Sequence, residues 1–308
     1  MTKTIIYRRV DGLDICLDVH LPENADHVPV VFWIHGGALI GGHRNNIKPW
    51  QRDWYIERGY AVVSIDYRLA PETKLRAIVE DVCAAWKWLH TDGASLFPFD
   101  TSRVAVVGHS AGGYLTLVCG YAVSPKPNAL VSFYGYGDII GPWYSEPDPF
   151  YCRLDRVPET EARTAIRPRP IANDGGDPAR GRFYLWTRQT GRWPVEVAGY
   201  DPANEADRFV PFMPIRNVSG DWPPALLIHG QQDTDVPHEQ SECMAHELRE
   251  RGAVCEFLSV PNAGHGFDGH GLGDPAVVDT FHRLAAFLEK NVWRELFRPV
   301  HNDVLGFW

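Results

Sequence analysis

What this sequence does not contain narrows it first. Its six cysteines (Cys16, Cys83, Cys119, Cys152, Cys243 and Cys255) are scattered over 308 residues, with no C-x-x-C and no paired spacing. Neither a disulfide framework nor a cysteine zinc site is therefore expected. Lys and Arg total 30 against 39 Asp and Glu, a net charge of −9, and the basic residues form no long run. A chain without a basic face gains little from displacing phosphate counterions, which argues against nucleic acid and against an anionic membrane surface as partners. The apolar runs are strand-sized, and none approaches a membrane span. "MTKTIIYRRV" has no apolar core of the secretory kind, so the expectation is a cytoplasmic protein with reduced, mostly buried thiols. No Walker pattern appears, and there is no internal repeat, so no cofactor is expected.

What is present is ordinary in bulk and specific in arrangement. Hydrophobic residues make up 44% and charged residues 22%, which suits a globular domain with a sizeable core. "TIIYRRV" and "LDICLDVH" flank Asp11-Gly12 and predict an antiparallel hairpin, with Leu13, Ile15, Leu17 and Val19 alternating with polar residues. The texture then changes to short, near-continuous apolar runs at 28–35, 61–66, 103–109, 129–135, 224–230 and 253–260. Strands buried on both faces read this way. Amphipathic helical patterns lie between them, as in "IVEDVCAAWKWLH", "EQSECMAHELRERG" and 274–292. Asp274 is the expected N-cap of the last of these, with Pro275 at its first position. Strands alternating with helices predict a mostly parallel, doubly wound α/β sheet of about eight strands with an N-terminal hairpin.

One stretch departs from this alternation. Residues 139–222 are rich in Pro, Gly and aromatic residues and show no sheet periodicity. The expected division is a core of 1–138 and 223–308 carrying a cap subdomain at 139–222. "PETEARTAI" and "GRFYLWTRQTG" are its expected helical pieces, and "ANDGGDPARG" its expected mobile loop.

Chemistry gathers at strand ends, where ligands sit in such sheets. Gly108-His-Ser-Ala-Gly112 follows the run "RVAVV" and precedes "AGGYLTLVCGYA". G-x-S-x-G in a strand-to-helix context places a serine on a tight turn, where neighbours with side chains would clash. A serine hydroxyl needs a base. His265 in "NAGHGF" is the candidate, because it follows a buried strand and its flanking glycines let it reach over the sheet. His270 is the nearest rival, and His229, inside an apolar strand, is expected in the core. A carboxylate must orient the base, and "HGQQDTDVP" offers Asp233 and Asp235, which spacing alone does not separate. "HGGA" (35–38) ends the run 28–35 with adjacent glycines whose backbone N–H groups are free to stabilise an oxyanion. His265, Asp268 and His270 could also be read as a metal cluster, but no metal is expected, since His265 has the better role as a base.

"HGGA", "DYRLAPE" (66–72), "GHSAGG" (108–113), "HGQQDTDVP" (229–237) and "NAGHGF" (262–267) together resemble the esterase and lipase branch of the α/β-hydrolase superfamily. The hormone-sensitive-lipase-like carboxylesterases are the most similar branch. The resemblance implies the α/β-hydrolase fold with a cap inserted before the acid-bearing strand. It also implies Ser110 as nucleophile, His265 as base and Asp233 as acid, since G-x-x-D-x-x-V falls on Gly230, Asp233 and Val236. The oxyanion donors would be the N–H groups of Gly36 or Gly37 with that of Ala111. "DYRLAPE" would brace the oxyanion loop, with Asp66 and Arg68 as a buried ion pair. Two features depart from the branch: Ala38 stands where a third glycine is common, and the cap lies late in the chain rather than at its N-terminus.

The expected activity is hydrolysis of a small or aromatic carboxylic ester through an acyl-enzyme, with a small-molecule ester as partner and a homodimer left open. Ala38, His109, Trp143, Tyr144 and Trp186 are the expected substrate contacts. An amidase or peptidase, or a lyase or acyltransferase, would use the same residues. A non-catalytic binding protein of this fold would be expected to have lost one of the three catalytic residues, and none is missing.

Overall fold

A computed structural model of the chain describes residues 2–293. Eight strands form one sheet in the order β1-β2-β4-β3-β5-β6-β7-β8. They are β1 Thr2–Val10, β2 Leu13–His20, β3 Val28–Ile34, β4 Ala61–Ile65, β5 Phe99–His109, β6 Ala129–Phe133, β7 Ala225–Gly230 and β8 Cys255–Val260. β1 and β2 pair antiparallel, as do β2 and β4, and every pair from β4 through β3 to β8 is parallel. Each strand expected from an apolar run is present. The hairpin turns on Asp11 and Gly12, both at positive φ (50° and 82°), the backbone twist that two-residue hairpins favour.

The parallel strands explain the continuous apolar runs. Val30, Phe32 and Ile34 pack into one layer while Val31 and Trp33 pack into the other, so neither face of β3 meets water. Helices Leu75–Trp88, Ala111–Ala122 and Glu239–Glu250 contribute to the first layer, and Pro49–Glu57 and Pro275–Val292 to the second. The last of these starts as expected, with the Asp274 side chain accepting from the Ala276 N–H at 2.8 Å.

Residues 139–222 add no strand to the sheet. They hold short helical segments, the longest being Pro178–Thr190, which the Asp177 side chain caps. Buried polar ties anchor this insert to the core. Arg180 and Glu72 form an ion pair at 2.7 Å with both side chains 3% exposed, and Arg180 Nη1 also donates to the Ala70 carbonyl at 2.8 Å. Of the expected core segment 223–308, residues 294–308 lie outside the described part.

Candidate active site

Ser110 stands between β5 and the helix Ala111–Ala122, at φ 56° and ψ −120°. For a residue with a side chain this conformation costs on the order of 1–3 kcal/mol, so it must be held by its surroundings. Its N–H donates to the Phe133 carbonyl at 2.9 Å. The flanking glycines allow the approach: a Cβ at Gly108 would lie 2.2 Å from the Gly112 carbonyl oxygen, and one at Gly112 would lie 2.1 Å from that of Ile34. The turn is thus possible only with glycine on both sides. Ala111, next in the chain, is buried and begins the helix, where first-turn N–H groups have no intrahelical acceptor.

Spacing left Asp233 and Asp235 level; geometry separates them. His265 Nδ1 lies 2.7 Å from Asp233 Oδ2, and since an ionised carboxylate only accepts, Nδ1 carries the proton. The other oxygen, Asp233 Oδ1, accepts from the backbone N–H groups of Asp235 (2.8 Å) and Val236 (2.9 Å). His229, fully buried in β7 as expected, places Nε2 3.3 Å from Asp233 Oδ2 and its Nδ1 2.7 Å from Ser241 Oγ. Burial opposes the charge on Asp233, but the contacts from His229 and His265 hold its carboxyl well below the usual range. Asp235 instead faces the opposite edge of the same imidazole, with Oδ2 3.4 Å from His265 Nε2. Burial likewise opposes protonation of His265, yet the carboxylates of Asp235, Asp233 and Asp268 outweigh it and raise its pKa.

The loop after β3 is folded against the serine turn. A Cβ at Gly36 would sit 2.8 Å from the His109 carbonyl oxygen and 3.2 Å from Ser110 Cβ. Gly37 has φ 109°, and its carbonyl accepts from both Ile40 and Gly41 at 2.9 Å. Ala38 adopts φ 55° in spite of its methyl group; its carbonyl accepts from Trp193 Nε1 at 3.0 Å. "DYRLAPE" does brace this loop. Tyr67 stacks on His35 at 4.1 Å and donates to the His35 carbonyl, and the Ala70 N–H donates to Leu39 O at 2.8 Å. The expected Asp66–Arg68 pair is not formed. Residues two apart here have separate partners: Arg68 grips Asp81 through two donors at 2.7 and 2.9 Å, while Asp66 receives Arg44.

Ser110, His265, Gly36, Gly37, Ala38 and His109 line one cavity of about 540 Å³. Tyr134, Asp174, Arg180, Tyr184 and Asp235 complete much of its wall. The structure therefore lines one cavity with Ser110, His265 and the glycine loop, with no hydrogen bond between Ser110 Oγ and His265 among the described residues, and part of "ANDGGDPARG" lines it too. The three aromatics expected to contact substrate, Trp143, Tyr144 and Trp186, do not line this cavity. Trp143 and Tyr144 stack on each other at 3.6 Å, and Tyr144 stacks on Trp193 at 4.0 Å, which makes them part of the insert's own packing. Trp186 packs on Phe183 and lines a different cavity, with Val157 and Arg192. His270 is exposed and pairs with Asp274.

Asp268 is buried beneath the site, accepting from Tyr134 Oη (2.5 Å) and from Gln51, with His109 Nε2 3.3 Å away. Tyr134 was not anticipated, although it directly follows a buried strand, the position where site residues gather. Among the described residues, no three His, Cys, Asp or Glu side chains gather as a metal site. No described helix is long and apolar enough to cross a membrane. Cys119 is fully buried, and burial pushes its thiol pKa up, as expected of an inert packed cysteine.

A family model described as the alpha/beta hydrolase fold matches residues 31–269, from β3 to just past His265. The chain belongs to the α/β-hydrolase fold family. Among sequence relatives, the non-reducing polyketide synthase ausA of Penicillium brasilianum is 29% identical over 317 residues. That match takes in 86% of this chain but only 13% of the synthase, so the chain spans about an eighth of that relative's length. Among solved structures, a protein of unknown function from Staphylococcus aureus superposes with a TM-score of 0.77 at 23% identity, covering 95% of this chain and 99% of that one. The butyrate-bound esterase Est2 of Thermogutta terrifontis gives 0.67 at 22% identity, with 94% of each chain covered. At these identities the two structures bear on the fold of this α/β-hydrolase, not on its substrate.

Proposed function

We propose that this α/β-hydrolase is a serine hydrolase of small or aromatic carboxylic esters. The observation that carries the proposal is the meeting in one cavity of a strained serine and a histidine whose far nitrogen is pinned to a buried carboxylate. Ser110 Oγ attacks the ester carbonyl carbon as His265 Nε2 takes its proton. The Nδ1–H bond to Asp233 fixes the tautomer that leaves Nε2 free to accept, and the carboxylate stabilises the imidazolium that forms. Backbone N–H groups of Gly36 or Gly37 and of Ala111 receive the oxyanion; preorganised donors of this kind are each worth about 3–4 kcal/mol. The tetrahedral intermediate collapses as Nε2–H protonates the leaving alcohol oxygen. Water, deprotonated by His265, then attacks the acyl-serine and releases the acid. The insert serves as a cap that forms one wall of the site through Arg180 and Tyr184.

Purified protein with p-nitrophenyl acetate and p-nitrophenyl butyrate tests this directly. Turnover by the unsubstituted chain that is lost in Ser110→Ala supports it, and equal rates for the two proteins refute it. A second reading, acyl transfer to an acceptor other than water, draws support from the polyketide-synthase relatives. Adding alcohol or amine acceptors and measuring how the acyl group divides between them and water separates the two.

A further inference from the structure

Asp235 is not used by the mechanism above, yet it is among the most constrained side chains of the cavity. Its Oδ1 takes donors from Tyr151 Oη (2.7 Å), from Arg188 Nη1 (2.8 Å) and from Tyr184 Oη. All three come from the insert. Arg188, fully buried, also pairs with Asp148 at 2.6 Å, so one guanidinium is shared by two carboxylates and the group keeps a net negative charge. Three donors on Oδ1 prevent the carboxylate from turning. Its Oδ2 is thereby aimed into the cavity, 3.4 Å from His265 Nε2.

That location has a chemical meaning if His265 is the base, and the inference rests on that reading. When the acyl-enzyme forms, Nε2–H delivers its proton to the departing oxygen, which must therefore come within hydrogen-bond reach of Nε2. An acceptor 3.4 Å from Nε2 is then beside the departing oxygen too. The substrate atom that can reach it is one borne by the neighbouring carbon of the leaving group. We propose that Asp235 is a specificity-determining residue: its Oδ2 accepts a hydrogen bond from a second hydroxyl next to the ester oxygen, which selects monoesters of vicinal diols and catechols over esters of plain alcohols and phenols. An ionised acceptor makes such a bond roughly twice as strong as a neutral one. It also disfavours leaving groups that carry a carboxylate in that place.

Two measurements, on three pairs of compounds, test it. The first is the ratio of kcat/KM for catechol monoacetate over phenyl acetate, and for 2-hydroxyethyl butyrate over ethyl butyrate. The unsubstituted protein is expected to prefer the hydroxylated member by about tenfold, the scale of a hydrogen bond to a charged group. In Asp235→Asn the amide oxygen stays with Tyr151, Tyr184 and Arg188 and an NH2 replaces the acceptor facing the cavity, so the ratio is expected to fall to within about threefold of unity. A merely structural role would lower both members alike and leave the ratio unmoved. An unmoved ratio, or no preference in the unsubstituted protein, overturns the proposal. The second measurement is the binding of catechol against phenol to Ser110→Ala, followed by calorimetry. Tighter binding of catechol without any ester turnover in the unsubstituted protein would sink the hydrolase reading and leave the Asp235 assignment standing. Turnover with equal binding of the two would do the reverse. Should Asp235→Asn not fold, as judged by its thermal melt, the preference of the unsubstituted protein still decides.

Discussion

The two walls of the cavity are held by different physics. The core wall, with Ser110, Gly36, Gly37 and His265, sits on strand ends and is shaped by close backbone approach: glycines at 108 and 112 whose Cβ atoms would collide, and a serine at positive φ. The insert wall, with Arg180 and Tyr184, is tied down by buried charge, Arg180 to Glu72 and Arg188 to Asp148 and Asp235. Steric fit of backbone tolerates almost no change in position. Buried ion pairs specify geometry too, but at a desolvation cost that makes them weak contributors to stability and costly to break by halves. In the proposed mechanism the chemistry resides on the first wall, and the second chooses what reaches it.

Breaking the core wall has the largest expected effect. Ser110→Ala removes the proposed nucleophile and should reduce kcat for p-nitrophenyl butyrate by about 10⁴–10⁶-fold with the fold intact by circular dichroism. A loss of less than tenfold would place the chemistry elsewhere. Asp233→Asn keeps the shape but favours the wrong imidazole tautomer, with an expected loss of about 10⁴-fold. If Asp235→Asn cost as much as Asp233→Asn at the level of the plain phenyl ester, the two carboxylates would have to exchange roles.

Breaking the insert wall should show in stability rather than in the chemical step. Arg180→Met leaves the Glu72 carboxylate buried without its guanidinium, at a cost of about 3–5 kcal/mol in urea unfolding. The double substitution Arg180→Met with Glu72→Leu removes both charges and should recover most of that loss, because a buried pair is often matched by apolar residues of similar volume. A double variant as unstable as the single one would mean that the pair does more than offset its own desolvation.

The core wall was legible in the sequence, and the insert wall was not. Ser110, His265 and the glycine loop could be placed because each follows a buried strand, and a doubly wound sheet collects such ends at one edge. All the expected strands are present, since burial on both faces writes itself as an unbroken apolar run. Asp233 and Asp235 differ by two residues, and no periodicity could say which would turn toward Nδ1. The deciding partners, the N–H groups of Asp235 and Val236, belong to the turn itself. Trp143, Tyr144 and Trp186 read from sequence as pocket aromatics because their packing, Trp143 on Tyr144 and Trp186 on Phe183, leaves no sequence signal. Asp66 and Arg68 failed as a pair for a similar reason: proximity in sequence does not determine where two side chains point.

The smallest expected effect concerns the layer beneath the core wall. In the proposed mechanism neutral His265 must accept the serine proton, so the rate is expected to rise with pH through the pKa of that imidazole. Burial works against protonation, but Asp235, Asp233 and Asp268 prevail and hold the pKa above the ordinary imidazole value. The acid limb of the pH–rate profile should accordingly lie above that value. Asp268 touches no substrate. It is fixed by Tyr134 and Gln51, and Tyr134 carries its ring against His265 at 4.6 Å between centroids. Asp268→Asn removes one negative charge that stabilises the imidazolium and keeps an acceptor for Tyr134, while the Gln51 amide can turn its own oxygen toward the new NH2. The pKa should fall and the acid limb should move to lower pH, with the plateau rate little changed, as measured by kcat/KM across the acid range. A limb that stays in place while the plateau drops would make Asp268 a packing residue of the serine turn and would leave the charge on His265 to the two carboxylates of the acid loop.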